Sequence, residues 1–361
     1  MARIHNFSAG PGVLPEEVLR EAQEALWDFQ GTGVGVMECS HRTKTYEAVV
    51  ESARQRLSKL LGLNKDQHVL FLPGGASTQF FQVPASLLKG GTAAYLETGY
   101  WAERAEKEAK RYGTVRVVWS SKATAYDHVP RPGAWSLPPD AAYLHYTSNN
   151  TIYGTQFDYV PEVSGDALLV CDASSDILSR PVDGSKFDIL YAGAQKNLGP
   201  SGVTVVVISQ KALDRCTKDL PTMLQYDVHR ENGSMYNTPN TWGIYFIERV
   251  CAWIERQGGV AAIGEANARK AGKVYAAIDG SGGFYTGTVR ADSRSHMNLT
   301  WRTPTEDKDT AFHKEADKAH MTGLKGHRAV GGLRASLYNA QNEPAVDALV
   351  SFMGDFAKRN G

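Results

Sequence analysis

Apolar and polar residues alternate along the chain with two periods, and each period predicts a different element. Residues 15–29, PEEVLREAQEALWDF, place Val18, Ala22 and Leu26 on one face of a helix that opens with a proline and two glutamates. Residues 45–62, TYEAVVESARQRLSKLLG, repeat this spacing and stop at a glycine. Short apolar runs predict buried strands, namely HVLFL, TAAYLE, VRVVWS, AAYLHY, ALLVCD, DILYAGA and VTVVVIS.

These strands alternate with helical stretches such as WAERAEKEAKRYG up to about residue 210. The alternation predicts an α/β fold with a mainly parallel sheet flanked by helices. Beyond residue 260, three helical stretches accompany the strands GFYTGTV and HMNLTWR, which indicates a smaller α+β C-terminal domain. We therefore expect a large domain at residues 15–260 and a small domain made of residues 1–14 and 261–361. Ligands of such sheets bind beyond the carboxyl ends of the strands, so the residues there are candidate site residues.

Composition narrows the class of protein. The 39 Lys and Arg residues balance 39 Asp and Glu residues, so no net field favours nucleic acid or an anionic membrane. Four scattered cysteines show neither CxxC nor zinc spacing, which argues against a metal site and suits a reducing cytosol. No apolar run has the length of a membrane span, and residues 1–12 carry no apolar signal core. We expect a soluble, cytoplasmic protein.

Three strand ends carry candidate chemistry. Residues 73–80, PGGASTQF, form a strand-to-helix turn whose backbone N–H groups suit a phosphate. Asp172 ends the strand ALLVCD, and Lys196 follows the next strand among the small residues Ala194 and Gly199. If the two strands are neighbours, both side chains emerge at one edge of the sheet. Taken singly, these features have plainer explanations as a tight turn, a helix cap and a solvated loop lysine.

Together they fit the chemistry of pyridoxal 5′-phosphate. That cofactor needs a lysine amine for its aldehyde, a carboxylate for its pyridine nitrogen and an anion site for its phosphate. Burial would lower the pKa of Lys196 towards the neutral, nucleophilic form. Trp101, which follows another strand, would stack on the cofactor ring, although a lone aromatic residue there is more often part of the core.

Six stretches recur in the order found in one known family. They are NFSAGPG, MECSHR, DASSDILSRPVD, AGAQKNLGPSG, NTPNT and GHRAVGGLRASLYNA, and they extend from residue 6 to the C-terminal region. In these stretches the chain resembles the phosphoserine aminotransferases, fold-type I pyridoxal phosphate enzymes of the class V aminotransferase group. The resemblance implies that residues 15–260 form the cofactor-binding domain.

The resemblance also implies a role for each matching residue. Lys196 resembles the Schiff-base lysine, which then moves a proton between the substrate Cα and the cofactor C4′. Asp172 resembles the partner of the pyridine nitrogen, and Trp101 the stacking ring, so these three are the expected catalytic residues. Thr151 matches the residue that binds the ring oxygen. The remaining cofactor contacts are expected to bind the cofactor phosphate, namely Ala76, Ser77, Gln195, Asn237 and Thr238. The resemblance implies a homodimer with shared sites, in which Asn237 and Thr238 come from the partner subunit.

A substrate with a phosphate and an α-carboxylate needs two anion sites, which arginine serves through its planar fork of donors. By resemblance, Arg334 holds the α-carboxylate. The second anion site would be formed by two His-Arg doublets that bind either the phosphate of phosphoserine or the side-chain carboxylate of glutamate: His41, Arg42, His327 and Arg328. The implied reaction converts O-phospho-L-serine and 2-oxoglutarate into 3-phosphohydroxypyruvate and L-glutamate, as in serine biosynthesis.

Two positions depart from the family. Ser77 stands where some members have an arginine for the substrate phosphate, and Asn150 stands where a glutamate is frequent. Three alternatives stay open: added activity on a phosphorylated hydroxythreonine, another class V enzyme such as a desulfurase or an alanine–glyoxylate aminotransferase, and a nucleotide-binding scaffold. A desulfurase would need a mobile cysteine in a Gly/Ser-rich loop, and a nucleotide-binding protein would need a fingerprint that the sequence lacks.

Overall fold

The computed structural model describes residues 3–361, so Met1 and Ala2 of the predicted small domain lie outside the described residues. The helices are α1 Glu16–Trp27, α2 Lys44–Leu61, α3 Ala76–Leu87, α4 Tyr100–Ala109, α5 Gln210–Arg215, α6 Tyr226–Glu231, α7 Thr241–Arg256, α8 Gly259–Asp279, α9 Glu306–Lys318 and α10 Glu343–Asn360. The strands are β1 His5–Asn6, β2 Gln67–Pro73, β3 Thr92–Glu97, β4 Thr114–Ser120, β5 Ala141–Thr147, β6 Leu168–Asp172, β7 Ile189–Gly193, β8 Val203–Ser209, β9 Thr286–Gly287, β10 Asn298–Arg302, β11 Met321–Thr322 and β12 Leu333–Ser336.

All seven strands predicted before residue 210 form one sheet, with the order β2-β8-β7-β6-β5-β3-β4. Strands β7, β6, β5, β3 and β4 pair in parallel, whereas β8 is antiparallel to both of its neighbours. Because β8 alone is reversed, the carboxyl end of β2 lies at the same edge as those of the parallel strands. The predicted α/β fold with a mainly parallel sheet is confirmed.

Six of the seven strands are buried on both faces, which explains their near-continuous apolar sequences, whereas the edge strand β4 has no fully buried residue. Alternate strand residues such as Leu169 and Leu190 pack against α1, α2 and α7 on one face. Their neighbours, such as Val170 and Tyr191, pack on the other face with α3, α4 and α6. The carboxyl ends of the parallel strands therefore lie between two helical layers.

A separate apolar core forms in the C-terminal part of the chain. It joins α8, α9 and α10 to strand β10 and includes Phe7 from the N-terminal segment. Strand β1 pairs in parallel with β11, so residues 5–6 are attached to this part. These two contacts support the predicted assignment of the N-terminal segment to the small domain, although the exact boundaries stay a prediction.

The small sheet differs from the expectation in two strands. Residues 283–289 were expected to form a strand, but only Thr286–Gly287 does so, after Gly282 and Gly283 with φ of +64° and +89°. Strand β12 was not predicted from periodicity; it follows Gly331 and Gly332 and pairs with β10. Glycines at positive φ interrupt both extended runs, which hides the alternation from a periodicity search.

Candidate active site

Strands β6 and β7 bring the two candidate catalytic side chains to one edge of the sheet. They are parallel neighbours, and Asp172, the last residue of β6, is in register with Tyr191 of β7. Lys196 lies three residues beyond the end of β7 at Gly193. The two strands are therefore neighbours, which is what the sequence analysis required for Asp172 and Lys196 to lie at one edge of the sheet.

Lys196 is buried in this edge, with 9% of its surface exposed. Its Nζ donates a hydrogen bond of 2.6 Å to Thr151 Oγ1 and lies 5.6 Å from the centroid of the Trp101 ring. Burial lowers the pKa of Lys196 to about 8; Asp172 opposes this effect and the Arg334 cation adds to it. The neutral amine is therefore accessible near physiological pH, as a nucleophilic lysine requires.

Asp172 is also buried, and one of its oxygens accepts a hydrogen bond of 3.0 Å from the backbone N–H of Ser174. Burial raises the pKa of this carboxyl, while the Ser174 contact and the positive charge of Lys196 oppose the rise. A buried carboxylate of this kind is stabilised by a cationic partner, which a protonated pyridine nitrogen provides.

The predicted phosphate turn lies between β2 and α3. Gly74 has φ of +100°, and α3 begins at Ala76 after Gly75, whose lack of a side chain leaves the helix end without a side-chain cap. Ala76 packs in the same apolar cluster as Trp101, and Ser77 is exposed beside it. Free N–H groups at a helix N-terminus suit a phosphate. Gln195 is half-buried, and its side chain folds back against Gly193.

Asn150 ties two parts of the site together. Its amide Nδ2 donates to Thr98 O at 3.1 Å, and its Oδ1 accepts the backbone N–H of Ile152 at 3.1 Å. Thr98 leads into the helix that carries Trp101, and Ile152 follows Thr151. An ionised glutamate at this position could not donate to the Thr98 carbonyl, so this contact depends on the asparagine amide.

Arg334 of β12 reaches the site from the small sheet. Its Nη1 donates to the carbonyl oxygen of Thr151 at 3.1 Å. Burial lowers the pKa of this guanidinium. His327 lies 5.9 Å from the Tyr100 ring, which is itself 5.2 Å from Trp101, so it borders the same region. Arg328 is exposed next to it.

Four predicted residues are not joined to this group. Within residues 3–361, no hydrogen bond, ion pair or ring contact connects Lys196 to His41, Arg42, Asn237 or Thr238. Arg42 and Thr238 are exposed, and Asn237 donates only to the Thr238 carbonyl. A single chain thus assembles the lysine, the carboxylate, the stacking ring and Arg334, but not these four residues.

Comparison with known proteins identifies the family. The model of the class-V aminotransferases matches residues 4–349. The chain belongs to this family. It is 51% identical to the phosphoserine aminotransferase of Geobacillus kaustophilus over 360 residues, which are 99% of each chain. The crystal structure of phosphoserine aminotransferase from Bacillus circulans subsp. alkalophilus superposes with a TM-score of 0.97 at 50% identity, covering 99% of both chains. The pyridoxal phosphate-bound phosphoserine aminotransferase of Trichomonas vaginalis gives 0.92 at 38% identity, covering 97% of this chain and 99% of its own. These relatives place the chain among the phosphoserine aminotransferases of class V.

This chain is therefore a pyridoxal phosphate-dependent aminotransferase of fold type I, and its own residues fit the cofactor. Among the residues within 3–361 that this chain brings together at the site, Trp101 Nε1 and Arg334 Nε are buried without a hydrogen-bond partner, so both can bind a ligand there. Lys196, Asp172, Trp101 and the start of α3 supply an amine, a carboxylate, a ring face and an anion site at one edge.

Sequence reasoning missed the segment that covers Lys196 in this aminotransferase. Gly10 lies against the lysine stem, since a Cβ there would be 3.4 Å from Lys196 Cγ. Gly12 donates its N–H to Gln195 O at 2.8 Å, and Tyr338 Oη donates to Ala9 O. The motif NFSAGPG is recognisable in the sequence, but its role is not. The structure shows that Gly10 and Gly12 of this motif contact residues 195–196.

None of the helices within residues 3–361 is long and apolar enough to cross a membrane.

Proposed function

We propose that this enzyme reversibly transfers an amino group between O-phospho-L-serine and 2-oxoglutarate, giving 3-phosphohydroxypyruvate and L-glutamate in serine biosynthesis. The observation that carries the proposal is the buried Lys196 amine, hydrogen-bonded at 2.6 Å to Thr151, whose carbonyl binds Arg334 at 3.1 Å. Thr151 thus contacts both the candidate base, Lys196, and the candidate carboxylate-binding residue, Arg334.

Pyridoxal phosphate, when bound, supplies an aldehyde for the amino group and a ring that stabilises negative charge at the substrate Cα. Lys196 would accept the proton at Cα, because its lowered pKa keeps a neutral amine available. Asp172 would hold the pyridine nitrogen protonated, and Trp101 would fix the plane of the ring. The phosphate would lie at the start of α3, against Ala76 and Ser77 with Gln195.

Arg334 would bind the α-carboxylate, since its unpaired Nε and its fixed Nη1 present a guanidinium in one orientation. His327 and Arg328 would bind the phosphate of phosphoserine or the distal carboxylate of glutamate. Because position 77 is a serine, the second His-Arg doublet, His41 and Arg42, would supply the further positive charge. A phosphorylated hydroxythreonine offers the same two anionic groups and remains a candidate substrate.

We propose that the enzyme acts as a homodimer with shared sites. This is supported by the four residues of the single chain that are not joined to Lys196, His41, Arg42, Asn237 and Thr238. Asn237 and Thr238 would reach the cofactor phosphate of the partner subunit. The absence of nucleic-acid and membrane partners and the cytoplasmic location stay predictions from composition.

The four cysteines do not favour a desulfurase. Burial raises the pKa of Cys171 and Cys251 well above the ordinary thiol value, and it raises that of Cys216 to about 12. Burial also raises the pKa of Cys39. A persulfide-forming cysteine needs an accessible thiolate, and Cys171 and Cys251 are buried.

The test is the half-reaction with phosphoserine in the cofactor-loaded protein. Lys196→Ala should keep the far-ultraviolet circular dichroism of the wild type and lose amino transfer, because the base is removed. Lys107→Ala, at an exposed position of α4, serves as the control and should react normally. Normal turnover by Lys196→Ala would refute the role of the lysine. A wild-type preference for alanine or unphosphorylated serine would instead refute the substrate assignment.

A further inference from the structure

Lys270, in the middle of α8, is one of the most deeply buried lysines of the fold, with 2% of its surface exposed. Its Nζ donates to Gln341 O at 2.9 Å and to Tyr338 O at 3.1 Å, and it lies 3.4 Å from the carbonyl oxygens of Leu337 and Asn339. A buried ammonium is costly unless its donors are satisfied, and here one segment supplies all of its acceptors. We call residues 337–341 the anchored segment.

The anchored segment contacts the chain on both sides of the catalytic lysine. Asn339 donates its N–H to Asn197 Oδ1 at 3.0 Å, immediately after Lys196. Tyr338 donates to Ala9 O, and Gly12 in the same N-terminal segment donates to Gln195 O at 2.8 Å, immediately before Lys196. The Tyr338 ring also lies so close to Gly12 that an added Cβ would be 2.6 Å from it.

A second tie from the same helix strengthens this arrangement. Asn267, one turn before Lys270, donates to Asn339 Oδ1 at 2.9 Å and is within 2.9 Å of Ser179 O. Asn339 in turn donates to Leu178 O at 3.0 Å, in the loop that follows the strand ending at Asp172. Helix α8 therefore holds, through one segment, the loops that present both the lysine and the carboxylate.

We propose that Lys270 is a positioning residue for amino transfer: its amino group fixes the anchored segment and thereby the backbone on either side of Lys196. Carbonyls that converge on one place need a donor with several N–H groups. Burial lowers the pKa of Lys270 to about 7, and its amino group has two N–H donors when neutral and three when protonated. Without it, the buried carbonyls lose their partner and the segment must shift to find water. A displacement of about 1 Å at a reacting group is enough to cost up to about 100-fold in rate.

The experiment compares Lys270→Met with Lys273→Met in cofactor-loaded enzyme. Lys273 lies three residues further on the same helix but is 36% exposed and pairs with Glu343 and Asp347. With rates normalised to bound cofactor, Lys270→Met should lower kcat for phosphoserine about tenfold or more, while KM changes by less than about threefold. Lys273→Met should leave both constants near those of the wild type.

A second readout does not depend on activity. Amide hydrogen exchange in residues 8–13 and 194–199 should become faster in Lys270→Met and stay unchanged in Lys273→Met. If Lys270→Met does not fold, Tyr338→Phe tests the next contact along the same path, because it removes the hydroxyl that donates to Ala9 O and accepts from Asn298 Nδ2. It should show the same selective loss of kcat.

The kinetic part of this inference rests on the proposed function, and the exchange part does not. If the wild type showed no phosphoserine activity, the proposed function would be refuted. The hydrogen-exchange comparison would then decide whether Lys270 fixes the backbone around Lys196. Wild-type kcat and exchange in folded Lys270→Met, or equal losses in Lys273→Met, would each overturn the role of Lys270. Normal kcat in Tyr338→Phe would overturn the proposed route from the anchored segment to the backbone before Lys196.

Discussion

Replacing Lys196 with methionine should stabilise the cofactor-free protein at neutral pH, although it abolishes activity. In the folded chain burial lowers the pKa of Lys196 to about 8, whereas the ordinary value of 10.5 applies to the unfolded chain. Below pH 8 both states carry the proton, and the folded state bears the full cost of a buried charge. Methionine has a similar length and no charge, so this cost disappears.

The size of the effect follows from the pKa difference. Lowering the pKa from 10.5 to about 8 corresponds to about 3 kcal/mol, because a tenfold change in a protonation equilibrium is worth about 1.36 kcal/mol. The variant leaves the Thr151 hydroxyl without the lysine, which costs about 1 kcal/mol. The net gain near pH 6.5 is therefore about 2 kcal/mol. With an unfolding entropy of about 2.1 cal/mol/K per residue over 361 residues, this corresponds to a rise in Tm of about 3 °C.

The gain should shrink as the pH rises. Between pH 8 and pH 10.5 the unfolded wild type binds a proton that the folded wild type does not, so the stability of the wild type increases with pH. Calorimetric melts of the cofactor-free proteins at pH 6.5 and 10 measure this. Lys107→Met, at an exposed position, should stay within about 0.5 kcal/mol of the wild type at both values. An equal gain at both pH values, or none at pH 6.5, would refute the reasoning.

Two further predictions concern substrate binding and the site loop. Arg328→Ala should raise KM for phosphoserine about tenfold or more without moving the visible cofactor spectrum, because it removes a charge-assisted contact. Arg20→Ala, on the exposed face of α1, is the control. An unchanged KM in Arg328→Ala would exclude Arg328 from the phosphate site. Gly99→Ala should destabilise the protein by about 1–3 kcal/mol and lower kcat, because φ is +148° and the new Cβ would lie 2.0 Å from Asn150 Nδ2. Gly272→Ala, in an open helical position, should be neutral or slightly stabilising, and equal melting of the two variants would contradict the close approach.

The large sheet and its ligand edge could be predicted because the signals are local. A strand in this sheet is a short apolar run, and all seven such runs before residue 210 became strands of one sheet. Asp172 and Lys196 were recognisable because each follows such a run directly. Strands of two residues, such as β1 and β11, carry no periodicity, so their pairing was not predictable.

The sequence also supplied candidate ligands that the single chain does not bring together. His41, Arg42, Asn237 and Thr238 stood out through their motifs, yet no contact within residues 3–361 links them to Lys196. Motifs record which residues a site needs, but they do not state which chain supplies them. Their placement depends on assembly, which is why it remains part of the proposal.

The sequence by itself determined the sheet, the pyridoxal phosphate chemistry and the family, because these follow from local periodicity and contiguous motifs. Only the tertiary structure decided how Lys196 is tuned and held, since Thr151, Arg334 and Gly10 reach it from distant parts of the chain. Lys270 and Lys273 also could not be distinguished from the sequence. They lie three residues apart on one helix and look alike in sequence, yet one is buried among carbonyls and the other pairs with surface carboxylates. That difference depends on which face of α8 meets the anchored segment, and long-range packing alone sets it.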